Sequence, residues 1–469
     1  MRRVTSLDAA MLYAETREMP MHTMGVVILE PSPEEPPFQV MRRRLEERMH
    51  LLPPLRRRLV QGPLELGDPH WIEDPAFDLE NHLRRAAIPS PGSMRELAEF
   101  AGELAGRPLE RSRPLWEMVL VEGVEGGRIA IVVKVHHAAM DGGQVVALLL
   151  GCLFDPTPEG GTVPPPEEAW TPDREPSLAW FAADTARSFA TRPLRAFRAI
   201  ADVATRVGRT PPARRSSRGQ AASLFEAPAT PFNGALSPAR SVALADVAFD
   251  DFRTIKRAFG TTINDVVLAA SCAALRSWLL AHGGIAERPL VVNVPVTVRT
   301  EGQEHAGNRV SMILVRLPVE IDDPVERLLA ISAETRRAKT EHGQAGDDVF
   351  RRFTDVLMNI TVPWLLTHAM ELYSSTHVAD RLPSPWNLVI SNLPGPAVPL
   401  YCGGARVVRV YPLGPVQQGS GLNLTVLSTM GRMCFGAMAC KEMVPDVGDL
   451  ATGFVGATET MRKRAEQRR

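Results

Sequence analysis

The stretch Val133 to Gln144, VKVHHAAMDGGQ, carries the residue types best able to do chemistry. Two adjacent histidines, His136 and His137, are followed after a three-residue gap by Asp141 and Gly142. An imidazole has an ordinary pKa of about 6.5, so a positioned histidine can take a proton and return it within one cycle. A shared metal fits poorly. Neighbouring strand residues point to opposite faces, and neither an HExxH pattern nor a carboxylate cluster accompanies the pair. The same alternation predicts that one histidine faces a cavity while the other packs. No GxSxG elbow offers a serine nucleophile. None of the five cysteines, Cys152, Cys272, Cys402, Cys434 and Cys440, lies in a nucleophile motif or a CxxC pair.

The flanking sequence predicts how the pair is held. The apolar run RIAIVV leads straight into His136, so the histidines stand where a buried strand ends. Asp141, Gly142 and Gly143 form a turn signal, and QVVALLLGCLF then reads as a buried helix. Gly142 is read as a backbone requirement rather than a participant. A loop between two rigid elements is a usual place for catalytic groups. Further strands are expected at 24–30, 289–299, 308–319, 386–393, 421–429 and 432–440, and from residue 240. Helices are expected at 38–50, 94–106, 259–283 and 324–340. This irregular alternation predicts mixed sheets in two α/β sandwiches rather than one doubly wound parallel sheet.

Two proline-rich stretches, 156–176 and 211–238, divide the chain into 1–155, a bridge at 156–238, and 239–469. Between the proline-rich stretches the apolar spacing is helical but interrupted at Pro193. The bridge is either a solvent-exposed linker or a structured connection. Residues 187–218 hold nine arginines and one acid, Asp202, a local charge of +8 in a chain of net charge -1. Such a segment can lie on an anionic lipid surface, or pack its apolar face on the protein and solvate the arginines. The overall balance argues against a general nucleic-acid binder. An odd, irregularly spaced set of cysteines predicts a reducing, cytoplasmic setting. No apolar run reaches 18 residues, so no membrane-crossing helix is expected. Asp8 and Glu15 interrupt the stretch a signal peptide would need.

The HHxxxDG pattern of residues 136–142 resembles that of the CoA-dependent acyltransferase superfamily, which includes chloramphenicol acetyltransferase and peptide-synthetase condensation domains. Across nearly the whole chain the sequence more closely resembles the bacterial wax ester synthase/diacylglycerol acyltransferase family. The resemblance rests on the opening TSLDAAMLYAETREMPMHTMGVVILE, Pro114-Leu115-Trp116 and Thr230-Pro231-Phe232-Asn233. It continues through Asn264-Asp265, NVPVTVR at 293–299, Gly307-Asn308 and Ser391-Asn392-Leu393-Pro394-Gly395-Pro396. The sequence departs from the family near its end, with Met430-Gly431 in place of Tyr-Gly and no Asp directly after the Phe435-Gly436 strand.

The resemblance implies two chloramphenicol-acetyltransferase-like domains with a tunnel between them, in which an acyl-CoA and an acceptor alcohol meet at the second histidine. That makes His137 the general base, with His136 packing beside it and no cofactor required, acyl-CoA being a substrate. It implies a loop-bracing pair of Asp141 with an arginine, Arg299 being the candidate. The implied acceptor is diacylglycerol, a long-chain alcohol or both, and a secondary-metabolite alcohol or a non-catalytic lipid-binding role remain alternatives. A membrane or lipid-droplet surface is the implied setting. Asn264 and Asp265 either help place substrate or satisfy the start of a helix. Pro114, Leu115 and Trp116 either line an acyl pocket or form an apolar turn under the catalytic strand. Ser391 and Asn392 are read as tunnel wall or as the end of a domain-crossing strand.

Overall fold

The computed structural model describes the chain except residues 32–36, 141–142, 144–145, 147–150, 162, 167–169, 208–221, 223, 286–287, 298–309, 346–360 and 469. Two six-stranded sheets organise it. Across the first, the strand order is Tyr401–Cys402, Ala405–Leu413, His22–Leu29, Arg128–His136, Trp116–Val124 and Leu83–Ala87. Across the second it is Val310–Leu317, Leu290–Thr297, Leu388–Pro394, Leu422–Thr429, Arg432–Cys440 and Arg240–Ala248. Both are mixed. Leu83–Ala87 runs parallel to Trp116–Val124, and Leu388–Pro394 runs parallel to both its neighbours. A three-stranded sheet of Arg2–Arg3, His70–Glu73 and Arg57–Val60 packs on the opening helix Ser6–Ala14 through Val4, Leu12, Leu59 and Trp71.

The strand Arg128–His136 is buried at every position after the first. A strand covered on both faces needs a continuous apolar run rather than alternation, which is what RIAIVVKVH supplies. Lys134 is the exception in type. Its ammonium reaches Glu117 at 2.5 Å and the carbonyls of Leu104 and Arg107 at 3.0 and 2.7 Å, so the buried charge is paired and hydrogen-bonded.

The two halves share a strand. Ala405–Leu413 pairs antiparallel with His22–Leu29 in the first sheet and lies across Leu422–Thr429 and Arg432–Cys440 of the second. A Cβ at Gly436 would come within 1.9 Å of the Pro412 carbonyl oxygen, so only glycine permits this approach. The stretch 239–469 therefore supplies strands to both sheets, and residue 239 does not separate two self-contained units.

A separate helix, Phe249–Phe259, ends just before the helix expected over 259–283, which is Ile263–Ala281. Gly260 ends the first in the left-handed region at φ 65°, a conformation that suits a residue without a Cβ. Thr262 and Asp265 cap the second reciprocally. By length and composition Ile263–Ala281 could cross a membrane, although no uninterrupted apolar run in it reaches 18 residues. Here its leucines and valines form the core of the second half, packed on Gly448–Gln467 and Pro324–Ala345.

The described part of the bridge is largely exposed over 156–176 and is anchored to the rest of the protein at two places beyond that stretch. Leu178–Val207 is one helix that continues through Pro193. Loss of one amide donor does not end a helix held by the remaining bonds and by packing. Its first half is anchored on the small sheet: Ser188 Oγ donates to Asp68 at 2.9 Å, and buried Arg192 donates to the Leu66 carbonyl at 3.2 Å. The side chains beyond Arg192 in the arginine-rich segment lie outside the described residues. At the other end of the bridge Phe232 is fully buried, and Asn233 Nδ2 donates to the carbonyls of Asn387 and Gly419.

Candidate active site

His136 closes the central strand of the first sheet, paired in register with His22. It is fully buried, whereas His137 lines the cavity between the halves. The turn that separates them is built from main-chain bonds. His137 N–H donates to Met21 O at 2.8 Å, Ala139 N–H donates to His136 O at 2.9 Å, and Ala138 N–H donates to His136 Nδ1 at 3.0 Å. A ring nitrogen that accepts carries no proton, so the proton of neutral His136 sits on Nε2.

That Nε2 lies near a carboxylate without a hydrogen bond to it. Glu15 Oε1 lies 3.4 Å from His136 Nε2 and 3.5 Å from His22 Nε2, and its other oxygen accepts from Arg111 Nη2 at 2.8 Å and Nε at 3.1 Å. Burial opposes the Glu15 charge, but the two histidines beside it outweigh burial and hold the carboxyl far below the usual range. Burial pushes His22 down to about 4, so it is neutral at neutral pH. Glu15 also accepts from Met21 N–H at 3.4 Å, the residue whose carbonyl anchors His137. One buried anion thus joins the end of the opening helix, the start of the second strand and the catalytic turn.

The cavity has a volume of about 470 Å³. On the first sheet its floor includes Thr23, Gly25 and Val27, with Met24 of the same strand also reaching it, beside Ile131 and Val133 of the next. Eight of the 18 methionines line it, a soft and adaptable surface suited to alkyl chains. The second sheet contributes Asn293, Val389, Ser391, Asn423 and Thr425. Asn423 is already engaged, donating to Pro415 O at 2.9 Å and accepting from Thr425 at 2.8 Å.

Of the residues singled out from sequence, His137 and Ser391 line the cavity, while Asn392 does not. Pro114, Leu115 and Trp116 do not line it either. Leu115 O accepts from His136 N–H at 2.9 Å, and Trp116 donates from Nε1 to Leu55 O at 2.7 Å while stacking on His82. They flank the end of the catalytic strand within the sheet, because Trp116 opens the neighbouring strand in register with Val135 and packs its ring in the core. Asn264 and Asp265 are also away from the cavity. Asp265 is buried and accepts from Thr262 N–H, Ser332 Oγ and Thr335 Oγ1, tying the helix start to a second helix. Met430 takes a positive φ of 47° in the turn before Gly431 and packs on the first core. Asp141, Gly142 and Arg299 lie outside the described residues. Sequence reasoning did not find Glu15, His22 or Arg111. They come from separate elements with no fixed spacing, and the one local signal is an acid ending an apolar opening helix.

A model of the wax ester synthase/diacylglycerol acyltransferase catalytic domain matches residues 4–267, and one of the C-terminal domain of that family matches residues 306–462. The chain belongs to this family. It is an O-acyltransferase with the two-domain acyltransferase architecture. A Mycobacterium tuberculosis protein provisionally named a diacylglycerol O-acyltransferase is 36% identical over 98% of this chain and 90% of its own length. A second from the same species, named in the same way, is 35% identical over 99% of this chain and 97% of its own. The solved wax ester synthase/diacylglycerol acyltransferase of Marinobacter aquaeolei VT8 is 26% identical with a TM-score of 0.70, covering 99% of this chain and 100% of that one. The first condensation domain of the calcium-dependent antibiotic synthetase, at 18% identity and a TM-score of 0.55 over 99% of this chain and 96% of its own, shares the fold.

Proposed function

We propose that the chain transfers a long acyl group from its CoA thioester to the hydroxyl of diacylglycerol, a long-chain alcohol, or both, with His137 as the general base. The observation that carries this reading is an imidazole at the wall of a mostly apolar cavity between two sheets, held by a main-chain bond at its own amide. An alcohol holds its proton at neutral pH, so a base must take it as the oxygen attacks the thioester carbon. The imidazolium then returns the proton to the departing CoA thiolate, and no covalent acyl-enzyme and no cofactor are needed. The methionine and aliphatic floor fits acyl chains, and the names of the relatives favour a glyceride acceptor. A lipid surface is the natural source of water-insoluble acceptors.

The test is purified protein with labelled palmitoyl-CoA and a panel of acceptors, followed by lipid chromatography. Parent protein should form triacylglycerol or wax ester. His137→Ala should lower the rate by about 10² to 10⁴ while remaining folded, the usual cost of a missing positioned base. His136→Ala should act instead through packing, with a lowered unfolding temperature. A folded His137→Ala variant with parent activity would overturn the assignment.

A further inference from the structure

The cavity leaves three polar atoms of buried residues without a partner among the described residues: Thr23 Oγ1, Asn293 Oδ1 and Trp386 Nε1. Buried polar groups are rarely left unpaired, so each of these atoms calls for a partner that the described residues do not supply. Asn293 and Trp386 belong to the second sheet or its approach. Thr23 belongs to the strand beside the catalytic one. It pairs in register with Val135, two residues before His137, while His137 N–H bonds to Met21 O, two residues before Thr23. Both side chains line the cavity, so they are diagonal neighbours on one face, with backbones roughly 7 Å apart.

The floor beyond Thr23 continues over Gly25 and Val27, and a Cβ built on Gly25 would meet nothing within 4 Å. An acyl chain lying on that floor brings its thioester carbon between His137 and Gly25. On the face shared with His137, Thr23 is the hydroxyl-bearing residue between His137 and Gly25. We propose that Thr23 donates a hydrogen bond to the thioester carbonyl oxygen and to the oxyanion that replaces it. The inference rests on the reading of His137 as the base.

The step balances as follows. The acceptor oxygen forms a bond to the thioester carbon while its proton passes to His137 Nε2 or Nδ1, and the carbonyl π pair moves onto oxygen. The Thr23 hydroxyl keeps its proton and donates to that oxyanion. Collapse restores the carbonyl, breaks the carbon–sulfur bond and expels CoA thiolate, which takes the proton back from the imidazolium. A donor aimed at the developing charge stabilises the transition state more than the ground state.

Full-length Thr23→Val and Thr23→Ser are compared with parent in steady-state assays with palmitoyl-CoA and either dioleoylglycerol or hexadecanol. Valine preserves the shape and removes the donor, so kcat should fall about 10²-fold while KM for palmitoyl-CoA stays within about threefold. Serine keeps the donor and should restore kcat to within about fivefold of parent. Parent-like kcat in Thr23→Val overturns the role. So does an equal loss in both variants, which reports packing, and so does a raised KM at constant kcat, which reports binding without transition-state preference. Parent protein that acylates neither acceptor removes the acyltransfer reading and the Thr23 role with it. An active parent with an inactive His137→Ala and a fully active Thr23→Val removes the Thr23 role alone.

Discussion

Glu15 carries no reacting atom and still reaches every residue that shapes the catalytic turn. Its carboxylate faces His136 Nε2, His22 Nε2 and Arg111, and the Met21 peptide it touches holds His137 by its carbonyl. Ala138 N–H donates to His136 Nδ1, and the other ring nitrogen, Nε2, lies 3.4 Å from Glu15 Oε1. Glu15→Gln preserves the volume and removes the charge. Arg111, whose side chain is 37% exposed, then loses its carboxylate partner but still reaches water, so the loss falls mainly on the buried histidine side of the pocket. The expected outcome is a lowered unfolding temperature together with a lowered kcat. Nitrogen NMR of the histidine rings should show His136 leaving the Nε2–H tautomer. A variant with parent stability, activity and tautomer would show that the carboxylate is incidental.

At the scale of elements, one strand builds both ends of the reaction site. In His22–Leu29 the inward positions are Thr23, Gly25 and Val27, while His22 on the other face joins the Glu15 cluster. The missing side chain at Gly25 opens the floor midway along the apolar arm. Gly25→Leu should fill that space and reject long chains while leaving short ones. A difference of one or two methylenes in a pocket is worth about 10- to 200-fold in kcat/KM. Competing octanoyl-CoA with palmitoyl-CoA should therefore move the ratio toward octanoyl product by about tenfold or more. An unchanged ratio would place the acyl chain elsewhere. Trp116–Val124, the strand beside the catalytic one, shares the cavity face: Met118 lines the cavity, while Trp116, paired in register with Val135, turns its ring to Leu55 and His82, and Leu115 O holds the His136 amide.

At the scale of the molecule, the two halves are not independent. The strand Ala405–Leu413 leaves the second half, completes the first sheet beside His22–Leu29 and packs back across the second. Its residues Val410 to Leu413 also line the cavity. A chain ending at residue 238 lacks this strand and leaves His22–Leu29 as an open apolar edge, a template for aggregation. That fragment should be insoluble alone, and co-expression with residues 239–469 should recover a soluble complex. A monomeric, cooperatively unfolding 1–238 fragment would contradict the shared sheet. The described start of the helix Leu178–Val207 is tied to Asp68 and Leu66, so any lipid contact by the bridge must use other residues than Arg192.

Sequence alone determined what local pattern can encode. The run RIAIVV ahead of two histidines specifies a buried strand end, because burial on both faces and the period-two alternation are properties of consecutive residues. The resemblance carried by HHxxxDG, NVPVTVR and SNLPGP at their order and spacing reached the family and the mixed two-sheet fold. What needed the tertiary structure was every relation between distant segments. The roles of Pro114, Leu115 and Trp116 and of Asp265 turned on which partners their side chains and carbonyls meet, and both readings fit the same residues until those partners were in place. Glu15, His22, Arg111 and His136 become one cluster only when a helix end, two strands and a loop converge, and no spacing along the chain records that convergence. The crossing strand shows the same limit. The pattern of Ala405–Leu413 identifies an extended segment with buried positions, but which sheet edge it completes depends on the shape left open by the rest of the fold.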